Sequence, residues 1–105
     1  MLGQGKYKAN INHMFYNGEA FFEIEYDDGK LELDIDLPEG GIDIPDVEIT
    51  EFFEEENTII AKAKLSIIPG KEVDINLTFD GDRCNGYIKA PFVGKIKIKD
   101  AVKVS

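Results

Sequence analysis

Histidine and cysteine each occur once in the 105 residues, as His13 and Cys84. A multi-histidine metal site, a cysteine cage and an intramolecular disulfide are therefore all excluded. Serine occurs at Ser66 and Ser105, neither in a nucleophile-elbow setting. Cys84 falls in step with Gly86, Ile88 and Ala90, a pattern that suits a small apolar filler better than a thiolate activated by His13. The glycines sit in turn-like stretches and none opens a helix, so no loop is built to cradle phosphate. Asp80-Gly81-Asp82-Arg83-Cys84-Asn85-Gly86 begins like a calcium loop, but Cys84 replaces an oxygen ligand and Pro91 stands where a bidentate Glu is needed. Asp43 and Asp46, around Pro45 between Glu39 and Asp46, read as an acidic surface loop. These residues point to a non-enzymatic protein with no metal and no cofactor.

The elements that would carry them are strands. Apolar residues alternate along most of the chain, as a strand with one buried face requires. Tyr7, Ala9, Ile11, His13 and Phe15 share one parity, followed by Phe22, Ile24 and Tyr26, by Leu31, Leu33, Ile35 and Leu37, and by Val47, Ile49 and Phe53. The second half continues with Ile59, Ala61, Ala63, Leu65 and Ile67, then Val73, Ile75, Leu77 and Phe79, then Cys84, Gly86, Ile88 and Ala90. Ile96, Ile98, Val102 and Val104 complete the set. Tyr16-Asn17-Gly18, Asp27-Asp28-Gly29, Glu54 to Asn57, Pro69-Gly70 and Asp80-Gly81-Asp82 supply turns between them. Asp46 to Glu56 also fits a short helix, and Asn85-Gly86 also fits a tight turn; strands are preferred at both. The expected fold is all-β, one domain over residues 1–105, an antiparallel up-and-down meander of about eight strands that closes into a small barrel. At an offset of 53 residues, Asp27, Pro38 and Gly41 meet Asp80, Pro91 and Gly94, which suggests a duplication of about 5–53 and 58–104.

The net charge of −9 disfavours phosphate backbones and anionic lipid surfaces, so neither nucleic acid nor membrane is an expected partner. No apolar run approaches a membrane span, and the lone cysteine suits a reducing compartment, so a cytoplasmic location is expected. Residues 1–56 hold 3 basic and 16 acidic groups and residues 57–105 hold 9 basic and 5 acidic. Outward parity places Glu23, Glu25, Glu32, Asp34 and Asp36 on early strands and Lys89, Lys95, Lys97 and Lys99 on late ones. Closing the barrel sets the late lysines beside Lys6 and Lys8, and that seam needs bridging acids, an opening or an anionic partner.

The stretch from Val73 to Val104, with its Asp80-Gly81-Asp82 turn, Gly86-Tyr87-Ile88-Lys89-Ala90-Pro91 segment and Gly94, resembles the end of small lipocalin-like (calycin-like) barrels. The resemblance implies an apolar small molecule held inside the barrel. Side-chain volume points the same way: Ala61, Ala63, Cys84, Gly86 and Ala90 thin one wall of the interior. Inward parity also pairs His13 on the first strand with Asp100 on the last, a polar anchor for a ligand's head; a bulge at Asp100-Ala101 would instead turn Asp100 to solvent. The expected lining is Tyr7, His13, Phe22, Ile24, Cys84, Gly86 and Asp100. The alternative is a filled core whose work is done by the acidic face or by association with a protein partner or a second copy.

Overall fold

The computed structural model describes residues 2–14, 16–65, 70–91 and 94–105, with the backbone alone described at 42–46. The expected parities of Phe15 and Ile67, the turn at Pro69 and the Asp43 and Asp46 carboxylates lie outside what is described. Eight strands follow in order: β1 (Gly5–His13), β2 (Tyr16–Asp27), β3 (Lys30–Leu37), β4 (Ile42–Glu55), β5 (Thr58–Lys64), β6 (Glu72–Asp80), β7 (Arg83–Ala90) and β8 (Gly94–Lys103). Each pairs antiparallel with the next and β8 returns to β1, giving a closed up-and-down barrel. One short 3-10 turn, Pro38–Gly40, joins β3 to β4.

Local chemistry makes these reversals. Asp28 and Gly29 both take positive φ, 53° and 79°, as a type I′ turn joining twisted strands demands. Closure rests on a short ladder in which Tyr7 opposes Lys103 and Lys8 opposes Val102. The C-terminus extends it, with Val104 N–H donating to the Lys6 carbonyl at 2.7 Å and Lys6 N–H donating to the Ser105 carbonyl at 3.1 Å. Lys8 is met by Glu19 of β2 at 2.7 Å, and the Lys6 ammonium lies 5.5 Å from the centre of the Phe21 ring. An acid from the neighbouring strand thus bridges part of the lysine seam.

Alternation yields one core. Tyr7, Ile24, Ile59, Val73 and Cys84 are the largest of its fully buried side chains. Tyr7 stacks on Phe22, with ring centres 5.2 Å apart and planes within 11°, and tilts against Phe79 at 5.6 Å. Bulges overturn the parity in two places. On β4, Ile49 opposes Ala63 but Glu51 opposes Lys62, so Thr50 is an extra residue and Phe52, not Phe53, turns inward; Phe53 is 57% exposed. On β8, Cys84 opposes Ala101 and Gly86 opposes Ile98, which inserts one residue between them. Asp100 absorbs it with φ of 51° and faces solvent, while Ala101 is fully buried and Val102 and Val104 are exposed. Of the ambiguous segments, Asp46 to Glu55 and Asn85-Gly86 are strand, and Glu56 lies in the turn that follows β4, with φ of 56°.

Candidate functional site: a cleft where two strands part

β2 and β3 pair without a break from Phe21 opposite Asp36 to Asp27 opposite Lys30. β4 and β5 stay paired from Glu48 opposite Lys64 to Glu55 opposite Thr58. Between β3 and β4 the ladder runs only from Leu37 opposite Ile42 to Leu33 opposite Val47. Beyond that point Lys30 to Glu32 and Glu48 to Glu55 border each other without pairing. The cause is written into β4. A first bulge places an extra residue between Ile44 and Val47, across Pro45-Asp46, where proline has no N–H to donate. The second follows at Thr50, whose hydroxyl donates to the Glu72 carboxylate at 2.6 Å, with the Lys62 carbonyl a further acceptor at 3.1 Å. Two bulges in one strand add twist and bend it from its neighbour.

The parted strands leave an open cleft of about 710 Å³. Leu31, Leu33, Val47, Ile49 and Phe52 line it with apolar surface, and Glu23, Glu25, Glu32, Asp34, Glu48 and Glu51 line it with carboxylates. Lys30 is the basic residue at its edge. Ile49 and Phe52 are half-buried, so apolar surface of the barrel's inner layer is reachable there. Tyr26 lies beside one of the lining residues: its ring is 6.2 Å from that of Phe52, and its hydroxyl donates to the Leu2 carbonyl at 2.8 Å. Burial, followed by the nearby Glu54 carboxylate, pushes the Tyr26 hydroxyl up to about 12. That hydroxyl stays protonated near neutrality and serves as a donor.

The residues expected to line an interior site are divided by the structure. Tyr7, Phe22, Ile24 and Cys84 lie together in the packed interior. Phe22 and Ile24 are opposite Ile35 and Leu33, one strand from the cleft. Gly86 does not mark free space, because a Cβ built on it would sit 1.8 Å from the Asn76 carbonyl oxygen. His13 is the last residue of β1, opposite Tyr16. Asp100 is at the solvent-facing bulge, its N–H donating to Asn85 Oδ1 at 2.8 Å, so its carboxylate is not on the inward face where the expected anchor with His13 required it. The cleft residues Leu31, Leu33, Val47 and Ile49 were legible only as core, and Phe52 fell on the outward parity; Pro45 inside a strand was the signal that a ladder breaks. Among the described residues no three His, Cys, Asp or Glu side chains converge on a metal-sized site, and no helix is long and apolar enough to cross a membrane.

Burial raises the Cys84 thiol from 9.0 to about 12. Its contribution to stability is complete below pH 9.0, where the unfolded thiol is also neutral, and is lost as pH rises through the interval up to about 12. Urea melts at about pH 8 and about pH 10 are expected to show a fall of about 1 kcal/mol that Cys84→Ala removes. An equal fall in that variant would contradict this origin.

No protein-family model matches the chain, and no curated protein matches its sequence. The fold does have a counterpart. The crystal structure of secretory abundant heat soluble protein 4 from Ramazzottius varieornatus is similar over 100% of this chain and 99% of its own, with a TM-score of 0.62 at 12% identity. At that identity the likeness shows the architecture. The cytoplasmic location expected from the cysteine count does not stand: the similar protein is named as secretory, and a single buried free cysteine, which forms no intramolecular disulfide, does not report the compartment.

Proposed function

We propose that this barrel is a non-enzymatic binding protein that takes a small, largely apolar ligand with a cationic end at the cleft between β3 and β4. The observation that carries the reading is the cleft's composition: an apolar floor of Leu31, Leu33, Val47, Ile49 and Phe52 beneath a rim of carboxylates. An apolar body would cover the half-buried Ile49 and Phe52, at a gain of about 25 cal/mol per Å² of apolar surface removed from water. A positive head group would meet Glu25, Glu32 and Glu48. The lipocalin-like resemblance supports small-molecule binding, but the packed aromatic cluster of Tyr7, Phe22 and Phe79 favours the parted strands over the barrel axis as the place for it.

Calorimetric titration with decyltrimethylammonium and with decanoate, which offer similar alkyl chains under opposite charges, tests this reading. The cation is expected to bind and the anion to bind at least tenfold more weakly. Glu25→Gln/Glu32→Gln/Glu48→Gln is expected to weaken the cation by about tenfold, because exposed charge interactions contribute roughly 0.2 to 1 kcal/mol each. Equal affinity for both chains, or no binding of either, would contradict the proposal.

A further inference from the structure

Two patches of like charge are built into the outer surface, and they face different directions. On β2–β3, Glu23 is directly opposite Asp34 and Glu25 directly opposite Glu32. On β7–β8, Lys89 is directly opposite Lys95, with Lys97 next along the strand opposite Tyr87. Like charges facing each other across a ladder destabilise a sheet, and here the chain carries such pairs in both signs. The Lys95 ammonium has turned onto the Tyr87 ring, 4.4 Å from its centre. Among the described residues no ion pair neutralises Lys89, Lys95 or Lys97, and none neutralises Glu23 or Glu32. The ring order separates the patches by β1 on one side and by β4, β5 and β6 on the other. One copy therefore cannot bring its own patches together.

We infer that the second occupant of each patch is another copy of this chain: the lysine ladder of β7–β8 docks on the acidic ladder of β2–β3 in a neighbour. Each patch is a short row of charges at strand spacing on a sheet surface; Glu23 also faces Lys6 and Lys89 also faces Asp74 in the same copy, so the like-charged centres are Glu25 with Glu32 and Lys95 with Lys97. The contact joins two different surfaces, so it is head-to-tail and leaves a free patch of each sign at the ends of the chain of copies, permitting open-ended assembly rather than a closed dimer. The acidic ladder shares Glu25 and Glu32 with the cleft rim, so a docked copy and a cationic ligand would compete there, whereas the lysine ladder of β7–β8 has no part in the cleft.

The net charge of −9 gives the association an unusual salt dependence. At about 0.01 M ionic strength the screening length is about 30 Å, and whole copies repel. At about 0.15 M it falls to about 8 Å, which mutes repulsion between distant charges while pairs in contact still attract. At about 1 M, with screening over about 3 Å, the contact itself is lost. Sedimentation velocity at millimolar protein is expected to give monomer of 11.8 kDa at the two extremes and larger species between them.

Charge-swapped variants decide the geometry. Lys95→Glu/Lys97→Glu and Glu25→Lys/Glu32→Lys are each expected to be monomeric alone at intermediate salt, because the first removes the net positive charge of the β7–β8 patch and the second the net negative charge of the β2–β3 patch. Mixed in equal amounts they are expected to associate again. Circular dichroism melts verify that both variants are folded, and the lysine variant is expected to bind decyltrimethylammonium like the wild type, so that failure of assembly and failure of the cleft reading are told apart. Wild-type protein that is monomeric at every ionic strength, variants that assemble alone, or folded variants whose mixture stays monomeric would each overturn the inference.

Discussion

Gly86→Ala is expected to lower the unfolding free energy by about 3 kcal/mol, the upper part of the usual cost of overpacking. The new Cβ would fall 1.8 Å from the Asn76 carbonyl oxygen, 2.8 Å from the Asn76 carbonyl carbon and 3.0 Å from Leu77 Cα. All three are backbone atoms of β6, so no side-chain rotation can relieve the contact. β6 and β7 would have to separate where Leu77 opposes Gly86, weakening the ladder there. Thermal melts should register a fall in Tm on the order of 15 °C. A variant as stable as the wild type would mean that β7 has open space beside it, the reading that the run of small residues suggested at first.

Tyr7→Ala is expected to be costlier still, at about 4 kcal/mol, in the range for truncating a buried aromatic. The ring is 2% exposed, stacked on Phe22 and tilted against Phe79, and it lies where β1 closes the barrel against β8. Truncation empties the centre of that aromatic cluster beside the closing ladder. Tyr7→Phe keeps the rings and removes a hydroxyl whose ionisation burial already opposes. It is expected to change stability by less than about 0.5 kcal/mol. Denaturant melts of the pair separate packing from polar contribution, and a large loss in Tyr7→Phe would show that the hydroxyl holds the fold.

Much of the barrel could be read from alternation because one face of nearly every strand is buried. Tyr7, Ala9 and Ile11 on β1, or Val73, Ile75, Leu77 and Phe79 on β6, are all buried as their spacing predicts. The reading failed where a strand holds an extra residue. A bulge shifts the parity beyond it by one, and period-two counting has no means of seeing the shift. Phe53, Asp100, Val102 and Val104 were misplaced for that reason alone. The cleft was hidden by the same cause, since it exists because β4 is bulged on both sides of Val47 to Ile49. Sequence spacing identified those residues as apolar and the neighbouring glutamates as outward, but it could not show that the strands carrying them separate. Gly86 misled differently: a missing side chain reads as free volume, whereas here it admits the backbone of the adjacent strand.

The cleft is the centre of the functional reading, and its most direct test is a backbone amide NMR titration with decyltrimethylammonium. The account predicts progressive shifts confined to Leu31 to Asp34 and to Val47 to Phe52, with the amides of Tyr7 and Cys84 unmoved. Shifts centred on Tyr7, Phe22 and Cys84 with the β3 and β4 amides unchanged would place the ligand inside the barrel and contradict it.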